Sequence, residues 1–272
     1  MILEYIRYLR HGPLKKISPI WLKFGNIVRF LISFFNFSIK HKIGNYGPFF
    51  LDNHFIFSNF SEWGSGHNNG FSNCIQECKN KMCFVDVGAH VGLVSLPAAS
   101  VMPKNSKVIS FEPALKNLEM LKKHIKLNNF IDKIKIENFL LGEKNIREVT
   151  FFQDKKPTGM NSIVKNEKTN YQLTKVTQIS LDSYFENNQY SPDIMKIDVE
   201  GAEINVLIGA KKTIHKHKPV IYLSVHPINI IRFGQSIKML SKIIQDLNYS
   251  CYEINGYPVK NFQLKEYKLL PN

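Results

Sequence analysis

Acidic residues are scarce in this chain. Only 22 Asp and Glu stand against 36 Lys and Arg among 272 residues, a net charge of +14. Such a balance favours an anionic partner: a membrane surface, a nucleic acid or an acidic substrate. A Lys-rich, solvated surface is the plainer alternative. Cysteine is also sparse, with Cys74, Cys78, Cys83 and Cys251 and no C-x-x-C pair. That excludes a disulfide scaffold and a structural zinc site, and leaves reduced, inert thiols in a cytoplasmic protein as the expectation. Long apolar runs are missing. The most hydrophobic stretch, "FLISFFNFSI" at 30–39, lies between Arg29 and Lys40. It is too short for a bilayer, which takes about 20 residues. The opening "MILEYIRYLRHGPLKK" has no apolar core and no small-residue cleavage site, so no signal peptide is expected. Internal repeats and low-complexity tracts are absent.

What is present suits a folded globular chain: 44% hydrophobic and 21% charged residues, too apolar for disorder. Residues 1–45 read as a basic helical appendage, carrying eight Lys or Arg against Glu4 alone. Ser18-Pro19 is a helix start, and Trp21, Phe24, Val28, Leu31, Phe35 and Ile39 recur at helical spacing. Such a helix packs on the main domain, lies peripherally on a membrane, or makes a homodimer contact. Residues 46–272 read as the main domain. The 46–80 stretch is irregular apart from a short helix at "FSNCIQECKN". Then strands alternate with helices: "MCFVDVG", "KVISFEP", "KIKIENF", "VTQIS", "DIMKIDVEG", "KPVIYLSVHP" and a closing "YSCYEI" are strands. "AEINVLIGAKKTIHKH" reads as one helix. "EVTFFQ" reads as a hairpin strand beside a polar loop at 154–175. This rhythm predicts an α/β fold, a mostly parallel sheet with helices on both faces.

In open α/β sheets, ligands bind at the carboxyl ends of the strands. Those ends here carry Asp86-Val87-Gly88, Glu112-Pro113, Asn138, Asp198-Val199-Glu200-Gly201 and His226-Pro227. Gly88 and Gly92 flank a tight strand-to-helix turn, where glycine admits a ligand close to the backbone. Glu112 ends the next strand, where an acid can take ribose hydroxyls. A dinucleotide turn wants G-x-G-x-x-G, and this turn is G-A-H-V-G; a P-loop is missing too. Asp86 would repel a diphosphate and suits an ammonium. S-adenosylmethionine has an amino-acid end, a sulfonium and a ribose, and needs no phosphate cradle.

"FVDVGAHVGLVSLPAA", "VISFEP", "GMNSIV", "MKIDVEGAEINVLIGA" and "PVIYLSVHP" resemble, in order, the motifs of FkbM-type S-adenosylmethionine-dependent methyltransferases. The resemblance covers about residues 80–226. It departs at His90, where the family usually has Asn, and at Ser224, where it often has Glu. It implies a Rossmann-like class I methyltransferase that methylates a hydroxyl of a sugar, glycan or other small metabolite. Carried over, it puts Asp86, Gly88, His90 and Gly92 at the methionine end, Glu112 on the ribose, Asn138 near the adenine, and Asp198 and Glu200 at the transfer site.

Methyl transfer aligns acceptor oxygen, methyl and sulfur, and removes the hydroxyl proton. Asp198, Glu200 and His226 are the candidates for that proton. Glu203 reads as a first-turn carboxylate complementing its helix dipole. Asn161 and Ser162, in the polar loop, are candidates to touch the acceptor. A metal through His90, Asp198 and Glu200 is an alternative that no spacing demands, so no metal ligand is assigned. Two other functions compete. Methylation of RNA is invited by the charge, but an I-D-V-E-G strand end puts two carboxylates where nucleic acid would come. A non-catalytic S-adenosylmethionine-binding module is disfavoured by the presence of Asp86, Glu112 and Asp198 together.

Overall fold

The computed structural model describes residues 35, 37–154 and 171–272. Most of the 1–45 segment, and Asn161 and Ser162, lie outside them. Where the expected appendage meets the described chain it is not helical. Strand β1 (Ser38–Ile43) pairs antiparallel with β2 (Tyr46–Asp52). Ile43, Phe49 and Leu51 alternate into the core of the main domain, so period two prevails over the helical spacing read through Ile39. Helix α1 (Phe71–Glu77) follows.

The main domain then unrolls as β3 (Cys83–Val87), α2 (Ser95–Val101), β4 (Lys107–Phe111), α3 (Leu115–Leu127) and β5 (Ile134–Glu137). A smaller sheet comes next: β6 (Leu140–Leu141), β7 (Ile146–Asp154) and β8 (Tyr171–Ile179). The chain returns through α4 (Leu181–Glu186), β9 (Ile194–Ile197), α5 (Glu203–Ile208), α6 (Lys211–His217), β10 (Val220–Val225), α7 (Pro227–Arg232), α8 (Ile237–Asp246), β11 (Tyr249–Glu253) and β12 (Lys265–Pro271).

The large sheet has the order β11-β12-β10-β9-β3-β4-β5. The run β10-β9-β3-β4-β5 is parallel, and β12 runs antiparallel between β10 and β11. This is the Rossmann-like arrangement that the resemblance implies. Two cores cover the two faces. Along β3, Cys83, Val85 and Val87 enter one, and Phe84 enters the other with residues of β2, α1, α2 and α3. Strand order reverses between β3 and β9, and such a switch point opens a crevice at the strands' carboxyl ends.

Two elements differ from the sequence expectation. The helix read over 202–217 is two, parted at Gly209-Ala210. A Cβ on Gly209 would sit 2.0 Å from the Gly142 carbonyl oxygen, so only glycine fits at the junction of the two helices. The last strand is β12, not the "YSCYEI" strand, and it inserts between β10 and β11.

Candidate active site

Alternation along the strands builds the floor of the site. Asp86 shares the face of Phe84. It stands in register with Ser110 on β4 and Lys196 on β9, while Ser224 on β10 faces Glu266 on β12. All five are buried. Lys196 Nζ lies 2.8 Å from Glu266, 3.0 Å from Asp198 Oδ2 and 2.7 Å from Ser224 Oγ. Burial alone would favour the neutral amine, but Asp198 and Glu266 outweigh it and raise its pKa. Glu266 thus supplies, from the neighbouring strand, a carboxylate close to where Ser224 departs from the family pattern.

The crevice above is lined by Asp86, Gly88, His90, Glu112, Phe139, Asp198 and Glu200. Asp86 accepts from Ser95 Oγ at 2.5 Å. Burial raises its pKa to about 6 against the Ser95 bond and the charge of Lys196. Glu112 accepts from the backbone N–H of His90 and Ala114, both at 2.8 Å, and from the Asn117 amide at 3.3 Å. It therefore ties the 88–92 turn to the start of α3, and burial still pushes its pKa up to about 7. His90 has φ +52°, in the left-handed region. Asn and His tolerate that region better than most residues, so the exchange of one for the other keeps the turn. Burial lowers the His90 pKa to about 4, and its Nε2 is buried on the crevice wall without a hydrogen-bond partner among the described residues.

The two glycines are small for an internal reason. At Gly88 (φ +86°) a Cβ would meet the Asp198 carbonyl oxygen at 2.0 Å, and at Gly92 (φ +94°) it would meet Leu121 at 2.9 Å. Close packing of β3 on β9, and of the turn on α3, excludes a side chain there. Gly92 and Asn138 do not line the crevice. Asn138 is exposed, and its amide donates to the carbonyls of Glu112 (2.9 Å) and Pro113 (3.3 Å), bracing the end of β4.

Asp198 and Glu200 follow β9, and His226 follows β10. His226 Nε2 is 3.5 Å from Glu200 Oε1 and 3.7 Å from Asp198 Oδ1. Its Nδ1 lies 2.7 Å from Oε1 of Glu203, which is fully buried. Glu203 opens α5, as the helix-dipole reading requires, and also orients the imidazole. Burial would lower the His226 pKa, but the bond to Glu203 and the charges of Asp198 and Glu200 raise it to about 9. Burial pushes Asp198 up, yet Lys196 and His226 hold it down at about 2. Burial lifts Glu200 to about 7 in spite of His226.

The structure thus brings Asp86, Gly88, His90, Glu112, Asp198 and Glu200 to one crevice and sets His226 beside Asp198 and Glu200. Sequence reasoning missed Lys196, Glu266 and the apolar wall of Phe139 and Phe151. Lys196 had a signal: a lysine in the middle of an otherwise apolar strand needs a counter-ion.

A family model described as the methyltransferase FkbM domain matches residues 86–251. No curated protein matches the chain. Among solved structures, the methyltransferase FkbM from Methylobacillus flagellatus KT matches at 18% identity and a TM-score of 0.45. That alignment covers 70% of this chain, which spans 43% of that protein's length. The O-methyltransferase from Bacillus cereus in complex with SAH matches at 14% identity, 73% and 77% coverage and a TM-score of 0.40. The O-methyltransferase TomG from Streptomyces achromogenes, involved in tomaymycin synthesis, matches at 9% identity, 77% and 82% coverage and a TM-score of 0.43.

Proposed function

The chain belongs to the FkbM methyltransferase family, and from that membership we propose that it methylates a hydroxyl oxygen of a sugar, glycan or other small metabolite. When bound, S-adenosylmethionine supplies an electrophilic methyl group on a sulfonium. The residues present fit that cofactor. Asp86 offers a buried carboxylate to an ammonium, and His90 Nε2 offers an orphaned polar atom in the same crevice. Glu112 shapes the turn by accepting from the backbone N–H of His90 and Ala114, and it lines the crevice where it would take the ribose hydroxyls. Phe139 and Phe111 give the crevice apolar surface for a flat ring.

The observation that carries the reading is the convergence of His226 with Asp198 and Glu200, which line this crevice. An acceptor hydroxyl seated among them has groups to orient it and to take its proton. Held there, the acceptor oxygen would be placed to receive the methyl group that the cofactor supplies when bound. Two carboxylates there suit a neutral polyol better than a phosphate backbone.

The test is transfer of labelled methyl from S-adenosylmethionine to a panel of sugars, glycans and small alcohols, with RNA as the contrast. Label on a hydroxyl acceptor is expected. Asp198→Asn should cut transfer by about 100-fold or more, while S-adenosylhomocysteine still binds by calorimetry. Label on RNA alone would overturn the reading.

A further inference from the structure

We propose that Asp198, Glu200 and His226 form a binding site for a divalent metal cation. One ligand atom from each lies within 4.8 Å of the other two. His226 Nε2 has not closed onto either carboxylate: 3.5 Å and 3.7 Å exceed the usual N–H···O length of about 2.7–3.2 Å. Donors at about 2.1 Å around a tetrahedral ion stand about 3.4 Å apart. The gap has the spacing of ligands around an ion.

The atoms that do not face the gap form a second, independent observation. Asp198 Oδ2 is held by Lys196 at 3.0 Å. Glu200 Oε2 accepts from the Asn229 amide at 3.1 Å. His226 Nδ1 is fixed by Glu203 at 2.7 Å, and the imidazole is more than nine-tenths buried. Each side chain is therefore held through one atom, while Asp198 Oδ1, Glu200 Oε1 and His226 Nε2 approach one another. Metal-binding histidines are oriented in this way, with the second ring nitrogen on a carboxylate. Glu200 also keeps φ +52°, a strained conformation for a residue with a side chain. The charge agrees: Asp198, Glu200, Glu203 and Glu266 surround one lysine and one imidazole.

Two oxygens and one imidazole nitrogen suit a first-row ion such as Mn²⁺ or Zn²⁺. Three protein ligands leave coordination positions open. An acceptor hydroxyl taking one would lose its proton more readily, as metal-bound water does. That use rests on the methyl-transfer reading, in which His226 then serves as a ligand instead of a proton acceptor. The site itself does not rest on it.

The experiment uses the full chain without a histidine tag, stripped with chelator and titrated with Mn²⁺ by calorimetry and electron paramagnetic resonance, then with Zn²⁺. One equivalent per chain is expected. His226→Ala should abolish binding, and Glu203→Gln should weaken it about 10- to 100-fold. Retained S-adenosylhomocysteine binding shows that the variants are folded. Asp246→Asn, remote on α8, should bind as the parent does. Failure of both ions to bind stoichiometrically, or equal binding by parent and His226→Ala, would overturn the site. Metal binding with no methyl transfer to any hydroxyl would sink the proposed function alone; transfer undiminished by chelator, with no ion bound, would sink the metal site alone.

Discussion

Asp86 carries a consequence for pH. Burial sets its pKa at about 6, above the ordinary aspartate value. Only the ionised form attracts an ammonium group. Above pH 6 the carboxylate is charged and cofactor affinity is at its plateau. As pH falls through 6 the proton competes, and the affinity for S-adenosylmethionine should drop, approaching tenfold per pH unit. Calorimetric titrations between pH 5 and 8 check this, and Asp86→Asn should flatten the profile at the weak end. The acid was legible in the sequence because it stands two residues before a glycine at a strand end. Its pKa was not, because that depends on Ser95 and Lys196, which the fold brings to it. The role read for the glycines shifts for a similar reason. A glycine in a turn reads equally as a place for a ligand or for a neighbouring backbone, and at Gly88 the neighbour is the carbonyl of Asp198.

At the scale of elements, period and length identified the parallel strands and α1. Three features escaped. The β1–β2 hairpin follows an apolar run whose spacing fits a helix, and only the core beneath Ile43 and Leu51 selects the strand. The break falls at Gly209, where a backbone 67 positions away in sequence, at Gly142, leaves no room for a side chain. Strand order is set by contacts between distant segments, so β12 could not be placed from its own residues. Yet β12 brings Glu266 to Lys196 at 2.8 Å, with both side chains almost fully buried. Removing one partner of such a pair leaves a buried charge uncompensated, at a cost of about 3–5 kcal/mol. Glu266→Ala should fall near the lower bound, because Asp198 and Ser224 still hold the lysine. Glu266→Gln should cost less, since its amide oxygen can still accept from the lysine. Urea unfolding of the two variants beside the parent measures both.

On the whole molecule, half of the net charge of +14 lies in the first 45 residues. Among the described residues no helix is long and apolar enough to cross a membrane. Because β1 begins at Ser38 and Ile43 is fully buried, a deletion must stop before the hairpin. Removal of residues 1–34 should abolish co-sedimentation with anionic vesicles while leaving S-adenosylhomocysteine affinity unchanged. Vesicle binding that survives the deletion would assign the basic balance to the domain surface.

The polar row from Ser110 through Asp86, Lys196 and Ser224 to Glu266 also bears on where this molecule can be cut. The family match stops at residue 251, and β12 begins fourteen residues later. A fragment ending at residue 251 would keep every motif and lose the strand that lies between β10 and β11. Lys196 would then hold its charge against Asp198 alone, and the carboxylates lining the crevice would titrate differently. The last strand of the chain is thus part of the electrostatics of its first motif, although some 180 residues separate Glu266 from Asp86.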